Sequence, residues 1–91
     1  MKLRIIDTFW GVGPKGHAEN EVANVVFDVK VGELPPVGPS RQVFKIEEVR
    51  ENGIVLFLNP KRGNIEIECG KPYVYHPMSM DGGHIFRFEL E

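Results

Sequence analysis

Glycine and proline recur so evenly along this chain that the apolar segments between them are short, and short segments bounded by turn residues favour strands over helices. Ten glycines and seven prolines are distributed through the 91 residues. Between them the apolar positions alternate with polar ones: Phe86, Phe88 and Leu90 against Arg87 and Glu89, and Ile65 and Ile67 against Glu66 and Glu68. A period of two puts successive side chains on opposite faces of a strand. The strand-like pieces are Lys2 to Phe9, Glu21 to Val31, Gln42 to Arg50, Val55 to Asn59, Ile65 to Cys69, Tyr73 to His76 and His84 to Leu90.

Only Glu21 to Val31 carries a competing pattern. Val22, Val25, Val26 and Val29 would suit a helical face, while Val25, Phe27, Val29 and Val31 alternate. The β-branched content, with Asp28 and Lys30 in the alternate positions, favours the strand. The expected fold is all-β: a small antiparallel β-sandwich or barrel of about seven short strands, with no helix. A chain of this length supports one core, so residues 1–91 are expected to form a single β domain.

Local signals sharpen that expectation. Asn52-Gly53 between apolar segments predicts a two-residue hairpin turn with positive φ. Ahead of it the apolar phase slips from Phe44 and Ile46 to Val49, which predicts a bulge near Glu47 or Glu48. Ile54 to Leu58 is apolar on both phases, as in a central strand covered on both sides. With no helix to provide the second cover, a loop or a second subunit is expected there, and a homo-oligomer follows from that argument. Gly11 to Gly16 is expected to be a loop beginning near Trp10, and Gly32 to Ser40, with Pro35, Pro36 and Pro39, an extended surface loop.

Composition narrows the function classes. A formal net charge of −2 disfavours the clustered positive surface that nucleic acid or an anionic membrane requires. The longest apolar run, Ile54 to Leu58, is far below the ~20 residues of a spanning helix, and Asp7 interrupts the first apolar stretch before it could serve as a signal segment. The single cysteine, Cys69, allows no intrachain disulfide, so a reducing cytoplasm is the expected setting. Its place in an alternating strand predicts a small buried apolar role.

No catalytic or cofactor signature is complete. Gly11-x-Gly13-x-x-Gly16 matches the glycines of a dinucleotide loop, but Pro14 interrupts it and a β-like run follows where a helix N-terminus is required. A looser anion-binding loop including Lys15 is the residual reading. His17, His76 and His84, with Asp81 near His84, have no recognised metal-ligand spacing. Ser40, Ser79, Asp81 and the histidines offer a catalytic set only in the sense that most proteins do, and Glu47 with Glu48 would point to opposite faces of a strand. No cofactor or metal is expected.

The large side chains beside the loops are more informative. Trp10, Tyr73, Tyr75, Met78 and Met80 flank the two glycine- and proline-rich loops, and aromatic clusters of this kind suit recognition of a partner surface. The expected function is a non-enzymatic binding or interaction module for a protein or peptide partner, itself included. Its candidate surface is Trp10, Lys15, His17, Tyr73, Tyr75, His76, Asp81 and His84. The alternatives are a metal-dependent or general acid/base enzyme built on His76, Asp81 and His84, and a structural subunit of a larger assembly.

Overall fold

Alternation along the chain becomes two sheets that share one apolar interior. The structure is a computed structural model that describes residues 1–14, 16–77 and 82–91. Every regular element among them is a strand: β1 (Lys2–Gly13), β2 (Gly16–Asp28), β3 (Gly32–Glu33), β4 (Lys45–Arg50), β5 (Gly53–Asn59), β6 (Gly63–Glu68), β7 (Tyr73–Tyr75) and β8 (Gly82–Leu90). All pairings are antiparallel, in two four-stranded sheets ordered β2-β1-β8-β7 and β3-β4-β5-β6. The protein is a small all-β sandwich.

The first sheet turns Leu3, Ile5, Tyr75, Phe86, Phe88 and Leu90 inward, and the second answers with Ile46, Ile54, Leu56, Leu58 and Ile67. Phe44, fully buried just before β4, meets Phe86 and Phe88 edge-on with both centroid distances 5.1 Å. Each large side chain fully buried here contributes roughly 1.5–3 kcal/mol. The chain ends close the first sheet: Lys2 N–H donates to Glu91 O and Glu91 N–H to Lys2 O, at 2.8 and 2.9 Å. Lys2 also pairs with Asp28 across β1 and β2, and this hydrogen bond holds the Asp28 carboxyl below its ordinary range.

The predicted bulge is present, with the register shifting between Ile46 and Glu48. It lets Ile46 pair with Leu56 and Val49 with Ile54, in phase with the inward residues of β5; Ile46 is fully buried, while Val49, near the hairpin end, stays 40% exposed. Strand wins over helix in β2, where Ala23, Val25 and Phe27 are half-buried and Val22 and Val26 are exposed.

Five expectations change. Gly11 to Gly16 is not a loop: β1 continues to Gly13 and pairs with β2 through Gly11↔Ala18, Val12↔His17 and Gly13↔Gly16. The glycines accept extended geometry, and Pro14 sits at the tip, where its missing N–H breaks no ladder bond. The resulting hairpin gives the molecule its 47 Å long axis against 24 and 21 Å.

Asn52-Gly53 does form a hairpin, but the turn is Glu51-Asn52, and neither Asn52 nor Gly53 has positive φ. Gly53 lies in β5 opposite Arg50 and Glu68, and a Cβ there would lie 2.6 Å from Ile67 O. Close strand approach, not turn conformation, demands this glycine. Cys69 is exposed, not buried, because β6 ends at Glu68 and Cys69 enters the following turn.

The proline-rich stretch is only partly a surface loop. Gly32–Glu33 pairs with β4, and Leu34 and Val37 are buried. Finally, β5 is central, and on its outer face Val55 is buried between neighbouring side chains while Phe57 is half-buried. Glu48 and Glu66 flank Val55, and Arg50 bonds to Glu66 at 2.6 Å and to Glu48 at 3.1 Å. Hydrogen bonds that Arg50 donates to Glu66 and Glu48 raise its pKa, and the aliphatic parts of such chains shield apolar surface. No second subunit is required to account for the burial of Val55.

Gly53→Ala is expected to cost ~1–3 kcal/mol in urea unfolding, as overpacking against backbone does. Asn52→Ala is expected to stay within ~0.5 kcal/mol, since its backbone needs no left-handed conformation. The reverse order would restore the positive-φ turn.

Candidate functional site

At one end of the sandwich the turn between β5 and β6 meets the end of β7. Asn59 shapes that turn: its Oδ1 accepts the N–H groups of Lys61 and Arg62 at 3.0 and 2.9 Å, while its Nδ2 donates to the Tyr75 hydroxyl at 2.5 Å. An Asn side chain that bonds its own turn in this way fixes the backbone locally. The Arg62 guanidinium lies 5.7 Å from the Tyr75 ring centroid and donates to the Tyr73 hydroxyl at 3.1 Å. An open cleft of about 660 Å³ results, lined by Asn59, Pro60, Lys61, Arg62, Tyr75, His76 and Pro77.

Strand alternation divides β7 between two faces. Tyr75 points inward and is 7% exposed, stacked on Phe86 at 6.2 Å, whereas the next residue, His76, is exposed. His76 instead meets Trp10 edge-on at 5.5 Å, and His17 stacks on Trp10 at 5.8 Å. His17 Nε2 lies 3.1 Å from Glu19. Trp10 Nε1 is buried without a hydrogen-bond partner. This stack adjoins the cleft through His76.

His84 lies on the inward phase with Phe86, its ring 6.1 Å from that of Phe86 and 5.3 Å from Phe9. Its Nδ1 is 2.6 Å from Oδ1 of Asp7, which is fully buried, while Asp7 Oδ2 has no hydrogen-bond partner. Gly38 lies over this carboxylate: with φ 57°, its position leaves an added Cβ 2.8 Å from Ala23 Cβ and 3.1 Å from Asp7 Oδ2. The pair is a carboxylate-oriented imidazole of the kind that fixes a tautomer.

Of the eight residues singled out in the sequence, Trp10, His17 and His76 form one contact cluster, and Tyr73 and Tyr75 form a second beside it together with Arg62, which was not among the eight. His84 is reached from Tyr75 through Phe86. Lys15 and Asp81 lie outside the described residues, as do Met78, Ser79 and Met80. The strand geometry separates His76 from His84, which occupy opposite phases of the sheet, so these two members of the alternative enzyme site do not converge. Ser40 Oγ donates to Val37 O at 2.9 Å and accepts from Gln42 N–H at 3.2 Å, a turn role. Among the described residues no group of three or more His, Cys, Asp and Glu side chains is arranged to hold a metal ion. The glycine pattern opens a hairpin and not a helix, so no dinucleotide loop forms.

Sequence reasoning missed Asp7, Asn59 and Arg62. Asp7 was detectable as the one acid on the inward phase of Leu3, Ile5 and Asp7. Asn59 and Arg62 were visible only as turn residues, because their approach to Tyr73 and Tyr75 depends on sheet packing.

No protein-family model, curated protein or solved structure matches the chain.

His84→Ala is expected to destabilise the fold by ~3 kcal/mol in urea unfolding, because it strands a buried carboxylate. A loss below ~1 kcal/mol would mean that Asp7 finds another partner.

Proposed function

We propose that this chain is a non-enzymatic binding module that receives a protein or peptide partner at the end of the sandwich formed by Asn59–Arg62 and Tyr75–Pro77. The observation that carries this reading is the cleft itself: an open depression whose walls are held by side-chain hydrogen bonds. Its base is anchored in the core through Tyr75 on Phe86, so the site is organised before any partner arrives. Preorganised aromatic and Arg surfaces are the usual energetic centres of recognition, since little conformational freedom remains to be lost. Trp10, His17 and His76 extend the surface around the rim.

Among the described residues no helix is long and apolar enough to cross a membrane. A cytoplasmic setting belongs to the same proposal, where the exposed thiol of Cys69 would remain reduced.

One observation favours a second reading, self-association. Strand β2 is an edge of its sheet, and beside it Phe9 and Val12 are 44% and 59% exposed on a hairpin depression also lined by Pro14 and Ala18. Pairing of this edge with a second copy would cover that surface.

Selection of a random peptide library on the immobilised protein tests the first reading. Recovered peptides are expected to shift backbone amide NMR signals at 59–62 and 75–77 and to bind His76→Ala at least ~fivefold more weakly. Peptides that map elsewhere would remove the cleft as the site. For self-association, light scattering is expected to show a dimer that Val12→Glu converts to monomer; a wild-type monomer at all concentrations would reject it.

A further inference from the structure

We infer that the group received by this cleft is a carboxylate on an acidic peptide segment, an inference that rests on the binding-module reading and specifies its partner. The chain is acidic overall, with 11 Lys and Arg against 13 Asp and Glu. Among the described residues most bases already face an acid: Lys2 faces Asp28, Arg4 and Arg87 face Glu89, Lys45 faces Glu47, Arg50 faces Glu48 and Glu66, and Lys71 faces Glu68. Lys61 and Arg62 are adjacent, both line the largest described cleft, and neither makes an ion pair with a described carboxylate. Among the described residues that line the cleft there is no acid.

Arg62 is also positioned. Its backbone N–H is held by Asn59 Oδ1, its guanidinium rests over Tyr75, and one terminal nitrogen is fixed by the Tyr73 hydroxyl. A guanidinium carries five N–H donors, so this arrangement leaves others for a ligand. Their planar fork matches the two oxygens of a carboxylate, and holding the plane in advance reduces the ordering cost of that contact. Lys61 adds a second positive charge at the same turn. Pro60 and Pro77 supply rigid apolar walls for the chain on either side of the acid.

The experiment uses peptides recovered from selection on the intact protein, each compared with its Glu→Gln or Asp→Asn counterpart and with a peptide amidated at its C-terminus. Cleft-binding peptides are expected to carry an acid and shift the Arg62 Nε–Hε NMR signal. They should lose at least ~fivefold in affinity on amide replacement of that acid, and a comparable amount on Arg62→Gln. Binding should weaken between ~0.05 and ~0.5 M salt, as exposed charge contacts do. Loss on amidation alone would assign the C-terminal carboxylate, and loss on side-chain replacement alone an internal acid.

Peptides that map to 59–62 and 75–77 but bind equally well as neutral counterparts would overturn the carboxylate assignment and leave the binding-module reading intact. Absence of any peptide at those residues would overturn both. Inorganic phosphate that shifts Arg62 Nε–Hε at lower concentration than acetate does, and displaces the acidic peptides, would overturn the assignment in favour of a phosphate ligand. Unfolding curves for Arg62→Gln that match wild type exclude a fold defect as the cause of lost binding; a destabilised variant shifts that control to Lys61→Gln.

Discussion

Phe44 is the contact on which the two sheets depend. It belongs to no strand, yet it is fully buried and meets Phe86 and Phe88 of the first sheet while leading directly into β4 of the second. Its carbonyl accepts the Leu34 N–H at 2.8 Å, which binds the proline-rich segment to the same point. Edge-to-face aromatic pairs contribute roughly 0.5–1.5 kcal/mol beyond their buried area. Because Phe86 also stacks on Tyr75 and on His84, the interior extends without interruption to the end of the sandwich. The cleft is therefore built on the core, which gives its aromatic base the rigidity of the interior.

That continuity explains why the proposed recognition surface can be rigid at this end. Tyr75 is held on one side by Phe86 and approached on the other by Arg62, while its hydroxyl accepts a hydrogen bond from Asn59. Three parts of the chain remote in sequence thus fix one another. A turn of Pro60, Lys61 and Arg62 alone would sample many conformations; tied to Tyr73 and Tyr75, it presents its charges in one arrangement.

The sequence made the fold class legible because alternation and turn residues agree. Phe86, Phe88 and Leu90, Ile65 and Ile67, and the bulge between Ile46 and Glu48 all follow from a period of two, which depends only on local backbone geometry. What was not legible required a partner strand. Gly11 and Gly13 read as loop residues because glycine usually marks a turn, but paired opposite Ala18 and Gly16 they extend a hairpin. Gly53 reads as a positive-φ residue until Ile67 O is placed beside it. The same limit applied to the site: Trp10, Tyr75 and His76 could be named as large side chains near loops, whereas Asn59 and Arg62 acquire meaning only against Tyr73 and Tyr75.

Asp7 shows how the same end is held in place at a cost to stability. Burying a carboxylate is unfavourable, and an apolar residue of similar volume often stabilises a core more than an ion pair does. Here one oxygen has His84, the other has no partner, and a glycine is required above it because a side chain at residue 38 would press on both Asp7 and Ala23. Efficient packing does not account for such an arrangement. Its effect is positional: the pair fixes His84 against Phe86 and keeps β1 and β8 in register where Trp10 and the cleft emerge. The sandwich is thus most strongly constrained, and least simply apolar, where the proposed recognition surface begins.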